Sequence, residues 1–530
     1  MQRSQLPELN ETSGDWPTAN LPDRLTRIIE SVAADLMDGR HVFVSGAAGT
    51  GKSVLVREVT RILEGRMGRS VALTAPTGIA AKNIEGVTCH RWFGIPVADH
   101  YVDYPGRYPK ALVDVKPKEM PCALVVDEVS MTRCDLFDAI GRSLTRVNGA
   151  WAGPRLRLPM LAVGDFFQLP PVVYGSVRDV VAEAYPGSED LLPHAAPAWG
   201  AMGFRCYELT EPLRQSGDAA YFEALNAVRR GGDEGLGALW WIYDNATRVR
   251  ADETLASRVL ARNREVDAWN ERMLTCDPSA RGPVETRMRT MTGYVADGLR
   301  DWRCNVPEST SFREGSLVML TANDQAGEYV NGDLGRVARI SRGTFDVTVT
   351  LADGDEVIVC EAEQRRTRMT PVEDVMARLE DEGITDTAAL RSFMSKLKAE
   401  RRRDALWWQT NRVMLEDLLA GELDDMRSLP VSVAAAHFTP IRLAYAFTVH
   451  KAQGQTMAAV DVDPADFWDK GQLYVAISRC RELLGLRFLR PPTIGGYVVS
   501  EEARRFYAGA DWVSEHGYRK VTRKIKKRER

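Results

Sequence analysis

No two of the eight cysteines stand in a C-x-x-C pair, so neither a zinc ribbon nor a disulfide framework is indicated. They scatter at 89, 122, 134, 206, 276, 304, 360 and 480, which suits a reducing, intracellular compartment. No apolar run approaches the roughly 18 residues that a membrane span needs. Met1 to Asn20 is polar and has no apolar h-region, so a secretory leader is not expected. No internal repeat recurs at a fixed period. Net charge is scarce as well, −4 over 530 residues, which by itself speaks against a nucleic-acid binder. Its distribution says otherwise. Arg519 to Arg530 carries eight Lys/Arg and one Glu, a net of +7, which leaves −11 on the remainder. Such a run is either a solvated tail or an arm for nucleic acid.

What is present is ordinary globular material, 44% hydrophobic and 27% charged. The length suits about three to four domains. Leu25, Ile28, Ile29, Val32 and Leu36 share one face and predict a helix from Asp23 to about Met37, with Asp23 as its N-cap and Gly39 as its stop. Short apolar runs follow at His41–Ser45, Val71–Thr74, Ala123–Val126 and Pro159–Val163, separated by helical segments. That alternation predicts a parallel α/β sheet. From Phe312 to Cys360 the texture changes to β segments joined by Gly, Asn and Asp turns, which suits a small β-barrel. From Pro371 to about Leu429 it is helical and charge-rich. There Leu390, Phe393, Met394 and Leu397 form one stripe, and Met414, Leu415, Leu418 and Leu419 another. A helical pair packing on itself is expected. Trp407 and Trp408 either split between core and rim or offer a stacking surface for bases. The α/β texture then returns until about Phe488.

Gly46-Ala47-Ala48-Gly49-Thr50-Gly51-Lys52-Ser53 fulfils G-x-x-x-x-G-K-[ST] between a strand and a helix expected over Val54–Leu63. The glycines let backbone N–H groups turn toward phosphate oxygens, and the helix N-terminus adds positive potential. Lys52 is expected on the β- and γ-phosphates, and Ser53 on Mg²⁺. Asp127-Glu128 directly follows Ala-Leu-Val-Val, so both carboxylates face the ligand crevice at the C-terminal end of a buried strand. Asp127 suits the metal, and Glu128 suits activation of the attacking water. One strand later stands Gly164-Asp-Phe-Phe-Gln168-Leu-Pro-Pro171, whose Gln168 can orient that water.

These residues resemble a superfamily 1 helicase of the 5′-to-3′ branch, the group of Pif-type, RecD-like and Dda-like DNA helicases. The resemblance covers about residues 20 to 490, apart from the helical stretch. Thr74-Ala-Pro76-Thr77-Gly78-Ile-Ala-Ala81 resembles motif Ia, Gly86-Val-Thr88-Cys-His90-Arg-Trp-Phe93 motif Ib, and Asp127 to Met131 motif II. Gly164 to Pro171 resembles motif III, Leu213-Arg214-Gln215 motif IV, Phe447 to Thr456 motif V, and Tyr474 to Arg479 motif VI. Tyr329 to Gly335 looks like the family's entry into its β-domain. Two features depart from the pattern. Pro22 to Arg27 lacks the upstream Gln, so adenine selectivity does not carry over, and the helical stretch has no counterpart.

The resemblance implies an α/β fold class: two RecA-like P-loop lobes with ATP and Mg²⁺ between them, an inserted SH3-like β-barrel and a helical insertion. The expected boundaries are 1–210 for the first lobe (small wedge at about 94–121), 211–311 and 431–505 for the second, 312–365 for the β-domain, 366–430 for the insertion and 506–530 for a basic tail. Arg214 and Arg479 are implied as fingers reaching the γ-phosphate across the cleft. Pro76, Thr77, Thr88, His90, Thr448, His450 and Lys451 are implied as backbone contacts on DNA. Phe93, or Trp92 beside it, is implied as a base-stacking ring.

The activity implied is ATP-dependent 5′-to-3′ translocation on single-stranded DNA with unwinding of forked or tailed duplex, in repair, recombination or replication. The chain is expected to act as a monomer, away from membranes. The alternative is a nucleotide-switched single-stranded-DNA-binding ATPase without productive unwinding. Only 45 residues precede Gly46, too few for a relaxase–helicase fusion.

Overall fold

The computed structural model describes residues 21–513 apart from 113–118, 151–157, 174, 213–217, 249–256, 301, 303, 305, 323, 325–327, 330, 331, 342–345, 352, 353, 401–403, 422, 424–427, 456 and 458. Arg214 and the basic run Arg519–Arg530 therefore lie outside the described residues. Those described fall into two compact units. One is built from the stretches up to Gly94, Gly106–Arg272 and Tyr445 onward, the other from Ile95–Pro105 and Met273–Ala444.

The first unit opens with α1 (Asp23–Met37), whose Leu25, Ile29, Val32 and Leu36 are buried as the spacing requires. Its cap position is Pro22, so Asp23 sits in the first turn and does not cap the helix. Next come β1 (Val42–Gly46), α2 (Lys52–Met67), β2 (Val71–Ala75), α3 (Gly78–Asn83), β3 (Val87–Thr88) and α4 (Cys89–Phe93). They are followed by β4 (Ala123–Val126), α5 (Cys134–Ala150), β5 (Met160–Gly164), α6 (Gly175–Ala184), α7 (Pro197–Met202) and β6 (Arg205–Leu209). The six strands form one sheet in the order β3-β2-β4-β5-β1-β6, with every neighbouring pair parallel. β1, β4 and β5 are buried along their whole length, the state their unbroken apolar runs predict.

Then follow α8 (Ala219–Arg230), α9 (Gly232–Asn245), β7 (Ser257–Leu260) and α10 (Asn263–Cys276). Asp218 caps α8, its carboxylate accepting from the Tyr221 amide at 3.1 Å.

The second unit contains β8 (Arg281–Met288), β9 (Thr290–Gly293), β10 (Ser309–Glu314), β11 (Leu317–Leu320), β12 (Leu334–Ile340), β13 (Val347–Leu351), β14 (Glu356–Val359) and β15 (Ala362–Pro371). After them come α11 (Val372–Asp381), α12 (Thr387–Glu400), α13 (Ala405–Leu419), β16 (Ser428–Phe438) and β17 (Ile441–Leu443). One antiparallel sheet runs β14-β13-β12-β11-β17 around a core that includes Phe312, Val318, Val337, Val347 and Val349. β15 and β16 form a long antiparallel ladder, and the three helices lie between them in sequence. Trp407 and Trp408 are both buried, with Phe393 edge-on to Trp408 at 4.8 Å, so neither offers a face for bases. Asn411 ties α13 to β16, accepting from the Ser432 amide at 2.7 Å and donating to the Ser432 carbonyl at 2.9 Å.

These pairings move two expected boundaries. The first part of the second lobe leaves the first unit after Arg272, because β8 pairs with β10. The return comes at Tyr445 and not at 431, because β16 pairs with β15 and β17 with β11.

Back in the first unit come β18 (Ala446–Thr448), α14 (Val449–Ala452), β19 (Val460–Val462), α15 (Gln472–Ile477), β20 (Leu486–Phe488) and α16 (Glu501–Gly509). They complete a second parallel sheet, β18-β7-β19-β20. α16 contradicts the expected start of the tail at 506. Phe506 stacks on His194 at 4.7 Å, and the Val513 amide donates to Cys206 O at 2.8 Å. Residues 506–513 are thus packed on the first sheet's side of the unit. Among the described residues no helix is long and apolar enough to cross a membrane.

Candidate nucleotide and nucleic-acid site

The phosphate loop leaves β1 at Gly46, where a Cβ would come within 2.5 Å of Thr50 Oγ1 and 2.9 Å of Leu209 Cβ. Gly49 and Gly51 take φ of 82° and 87°, left-handed values open to glycine at no steric cost. Thr50 Oγ1 ties the loop by donating to Ala47 O at 2.9 Å. Lys52 opens α2 and folds back, its Nζ donating to Gly46 O at 2.9 Å and Ala47 O at 3.1 Å. Burial lowers its pKa, while Glu128, Asp165 and Asp127 pull the other way. Ser53 stands beside it in the first turn of α2. The Ala48 amide of the loop donates to Tyr474 Oη of α15 at 2.9 Å. The second sheet's part of the unit thus rests on the loop.

Asp127 and Glu128 leave the C-terminal end of β4. Burial, and then the neighbouring Glu128, push the Asp127 carboxyl up to about 7. The Glu128 amide donates to Asp127 Oδ1 at 2.9 Å. Glu128 itself has φ of 47°, a left-handed conformation that a non-glycine residue adopts only where its surroundings enforce it. Its Oε2 is buried with no hydrogen-bond partner among the described residues. A buried, unpartnered carboxylate oxygen beside a second carboxyl fits a cation and a bound water. No cluster of three His, Cys, Asp or Glu able to hold a metal exists among the described residues. A divalent ion would therefore complete its shell with phosphate and water oxygens, as Mg²⁺ commonly does.

Gln168 is buried, and its Oε1 accepts from Gln453 Nε2 at 3.4 Å. Motif III thereby touches motif V. Arg479 is buried. Its guanidinium donates to Val475 O at 2.8 Å, Gln455 O at 3.1 Å and Ser478 Oγ at 2.8 Å.

The residues expected on DNA divide between the two sheets. Pro76 and Thr77 follow β2, and Thr88 ends β3; Thr77 caps α3 and Thr88 caps α4, each accepting a backbone amide at 3.3 Å. Burial, with Arg133 nearby, lowers the His90 pKa. Thr448 ends β18, and His450 and Lys451 lie in α14; burial lowers the His450 pKa while Asp469 opposes it. All seven lie at the C-terminal ends of parallel strands, the edge where open α/β sheets take ligands. Phe93 does not join them. It is 0% exposed and meets Trp92 edge-on at 4.6 Å, with Trp92 itself only 7% exposed. Both rings are core, and the stacking role expected of them is withdrawn.

Three site residues escaped the sequence reading: Tyr474 as a partner of the phosphate loop, Arg229 of α8 and Tyr507 of α16. Arg229 forms an ion pair with Asp165 at 2.8 Å, with both side chains essentially without exposure.

Residues 22–220 match the model of the PIF1-like helicase family. Over that stretch the chain resembles the PIF1-like helicases. It is 31% identical over 485 residues to the ATP-dependent DNA helicase PIF1 of Emericella nidulans, covering 85% of this chain and 58% of that one. Against PIF1 of Homo sapiens it is 28% identical, covering 89% and 63%. The chain thus spans about three fifths of the length of these PIF1 relatives. Among solved structures, Bacteroides Pif1 bound to ssDNA superposes with a TM-score of 0.66 at 23% identity, covering 92% of this chain and 96% of that one. The same helicase with ADP-AlF3 and ssDNA gives 0.67 at 23% identity, covering 93% and 98%. The PIF1-like fold is therefore the two RecA-like lobes to which the two parallel sheets belong.

Proposed function

We propose that this PIF1-like chain is an ATP-dependent DNA helicase that moves 5′-to-3′ along single-stranded DNA and separates duplex ahead of it. The observation that carries the reading is the hydrogen bond between the Ala48 amide and Tyr474 Oη. A loop amide suited to phosphate is tied to α15, so the part of the unit that carries the second sheet is linked directly to the phosphate loop.

Lys52 leaves its two carbonyl acceptors for the β- and γ-phosphates. Ser53 and Asp127 would hold Mg²⁺, which supplies charge neutralisation on the phosphate oxygens when bound. Glu128, with its unpartnered oxygen, accepts a proton from the attacking water. Arg479 turns from its own lobe toward the charge that develops, and Arg214 acts with it. Gln168 passes the state of the site to Gln453 and so to Thr448, His450 and Lys451. Together with Pro76, Thr77, Thr88 and His90, these grip the backbone of one strand without reading its sequence. The tail from Arg519 adds counterion-releasing contacts on fork or tailed duplex. The working unit is proposed to be a monomer. An intracellular site of action goes with the proposed DNA substrate.

The test is ATP turnover with and without single-stranded DNA. We expect DNA to raise kcat by about tenfold or more, equivalent to about 1.4 kcal/mol of barrier. Equal rates would overturn the coupling between site and strand.

A further inference from the structure

We propose that Tyr507 is a positioning residue for ATP hydrolysis: it clamps Arg229 of the second lobe onto Asp165 of motif III and so fixes the Asp165–Gln168 turn against the end of β1. The inference rests on the helicase reading above and deepens it.

The geometry is unusually complete. The Tyr507 hydroxyl is hydrogen-bonded to Ser45 Oγ, one residue before the phosphate loop. It accepts from Arg229 Nη2 at 3.3 Å and from the Phe166 amide at 3.4 Å, and lies 3.4 Å from Asp165 Oδ1. Its ring stacks on Phe167 at 4.7 Å. The Arg229 guanidinium lies 4.9 Å from the Phe167 ring and 5.2 Å from the Tyr507 ring. Its Nε donates to both Asp165 oxygens, at 2.9 and 3.0 Å. One hydroxyl therefore touches the end of β1, motif III and the cation of the opposite lobe.

A buried guanidinium is costly unless its partners are held in place. The hold comes from the chain's return to the first lobe. Trp512 stacks on Tyr507 at 5.3 Å, and its Nε1 donates to Tyr507 O at 3.0 Å. The field of this pair reaches the catalytic lysine: Asp165 raises the Lys52 pKa and Arg229 lowers it.

The experiment compares the parent chain, Tyr507→Phe and Ser45→Ala in DNA-stimulated ATP hydrolysis, with thermal midpoints recorded. Phe keeps the ring stacks and removes only the hydroxyl. Both variants are expected to lower kcat about tenfold with KM for ATP within about twofold of the parent. Phe506→Leu loosens the same helix and removes a ring that meets Phe166 and Tyr507 edge-on, but leaves every hydrogen bond of the network in place; it should lower the midpoint and keep the parent kcat. An active parent with Tyr507→Phe and Ser45→Ala at parental kcat would overturn the proposal. So would an equal kcat loss in Phe506→Leu, which would mark the effect as general packing. A parent that hydrolyses no ATP sinks the helicase reading instead, so the two failures are distinguishable.

Discussion

Replacing Lys52 with alanine is expected to cut DNA-stimulated ATP turnover on the order of a hundred- to thousand-fold. Loss of one preorganised donor at developing charge costs about that much in other enzymes. Lys52 is the only cation in the phosphate loop itself. Its ammonium donates to Gly46 O and Ala47 O and lies in the field of Glu128, Asp165 and Asp127. Removing it leaves those carboxylates facing the incoming phosphates uncompensated, so nucleotide affinity should fall along with turnover. Steady-state hydrolysis at saturating DNA checks the rate, and ADP titration checks the affinity. A Lys52→Ala variant retaining a tenth or more of parental turnover would contradict the assignment.

Glu128→Gln is expected to behave differently. The amide keeps the shape and the left-handed backbone of Glu128 but cannot accept a proton from water. Turnover should fall on the order of a hundred- to ten-thousand-fold, the range for a general base. KM for ATP should stay within a small factor, because Lys52 and the loop amides still bind the phosphates. The variant should therefore trap nucleotide and hold single-stranded DNA without cycling. Parental turnover in Glu128→Gln would mean that another group activates the water.

How much of this was legible depended on sequence distance. The phosphate loop could be read because β1, the glycines, Lys52 and α2 are consecutive, and each local choice supports the same turn. Asp127 and Glu128 were legible because four buried apolar residues precede them. Phe93 was misread because a ring beside polar motif residues looks available, and only the packed α4 shows it to be fully buried. Arg229 could not be found at all. Its partner Asp165 lies 64 residues away, and Tyr507 lies 342 residues from Asp165. Nothing in either local sequence marks the juxtaposition. The tail boundary failed for a related reason. Arg504 and Arg505 blend into the basic C-terminus in composition, while Phe506 and Tyr507 find their apolar surroundings on a lobe built from the other end of the chain. The limits of the second unit were blurred because β16 reads as a parallel-sheet strand by its apolar run, yet pairs antiparallel with β15.

The proposed function has this chain travel 5′-to-3′ along single-stranded DNA. The most direct measurement is unwinding of two duplexes of equal length at the same salt, one carrying a 5′ single-stranded tail and the other a 3′ tail of the same length, with ATP and Mg²⁺. The account predicts that the 5′-tailed duplex is separated and the 3′-tailed one is left intact, with no separation of either by Lys52→Ala. Unwinding of the 3′-tailed duplex alone would contradict the direction, and DNA-stimulated hydrolysis with neither duplex unwound would contradict the helicase itself.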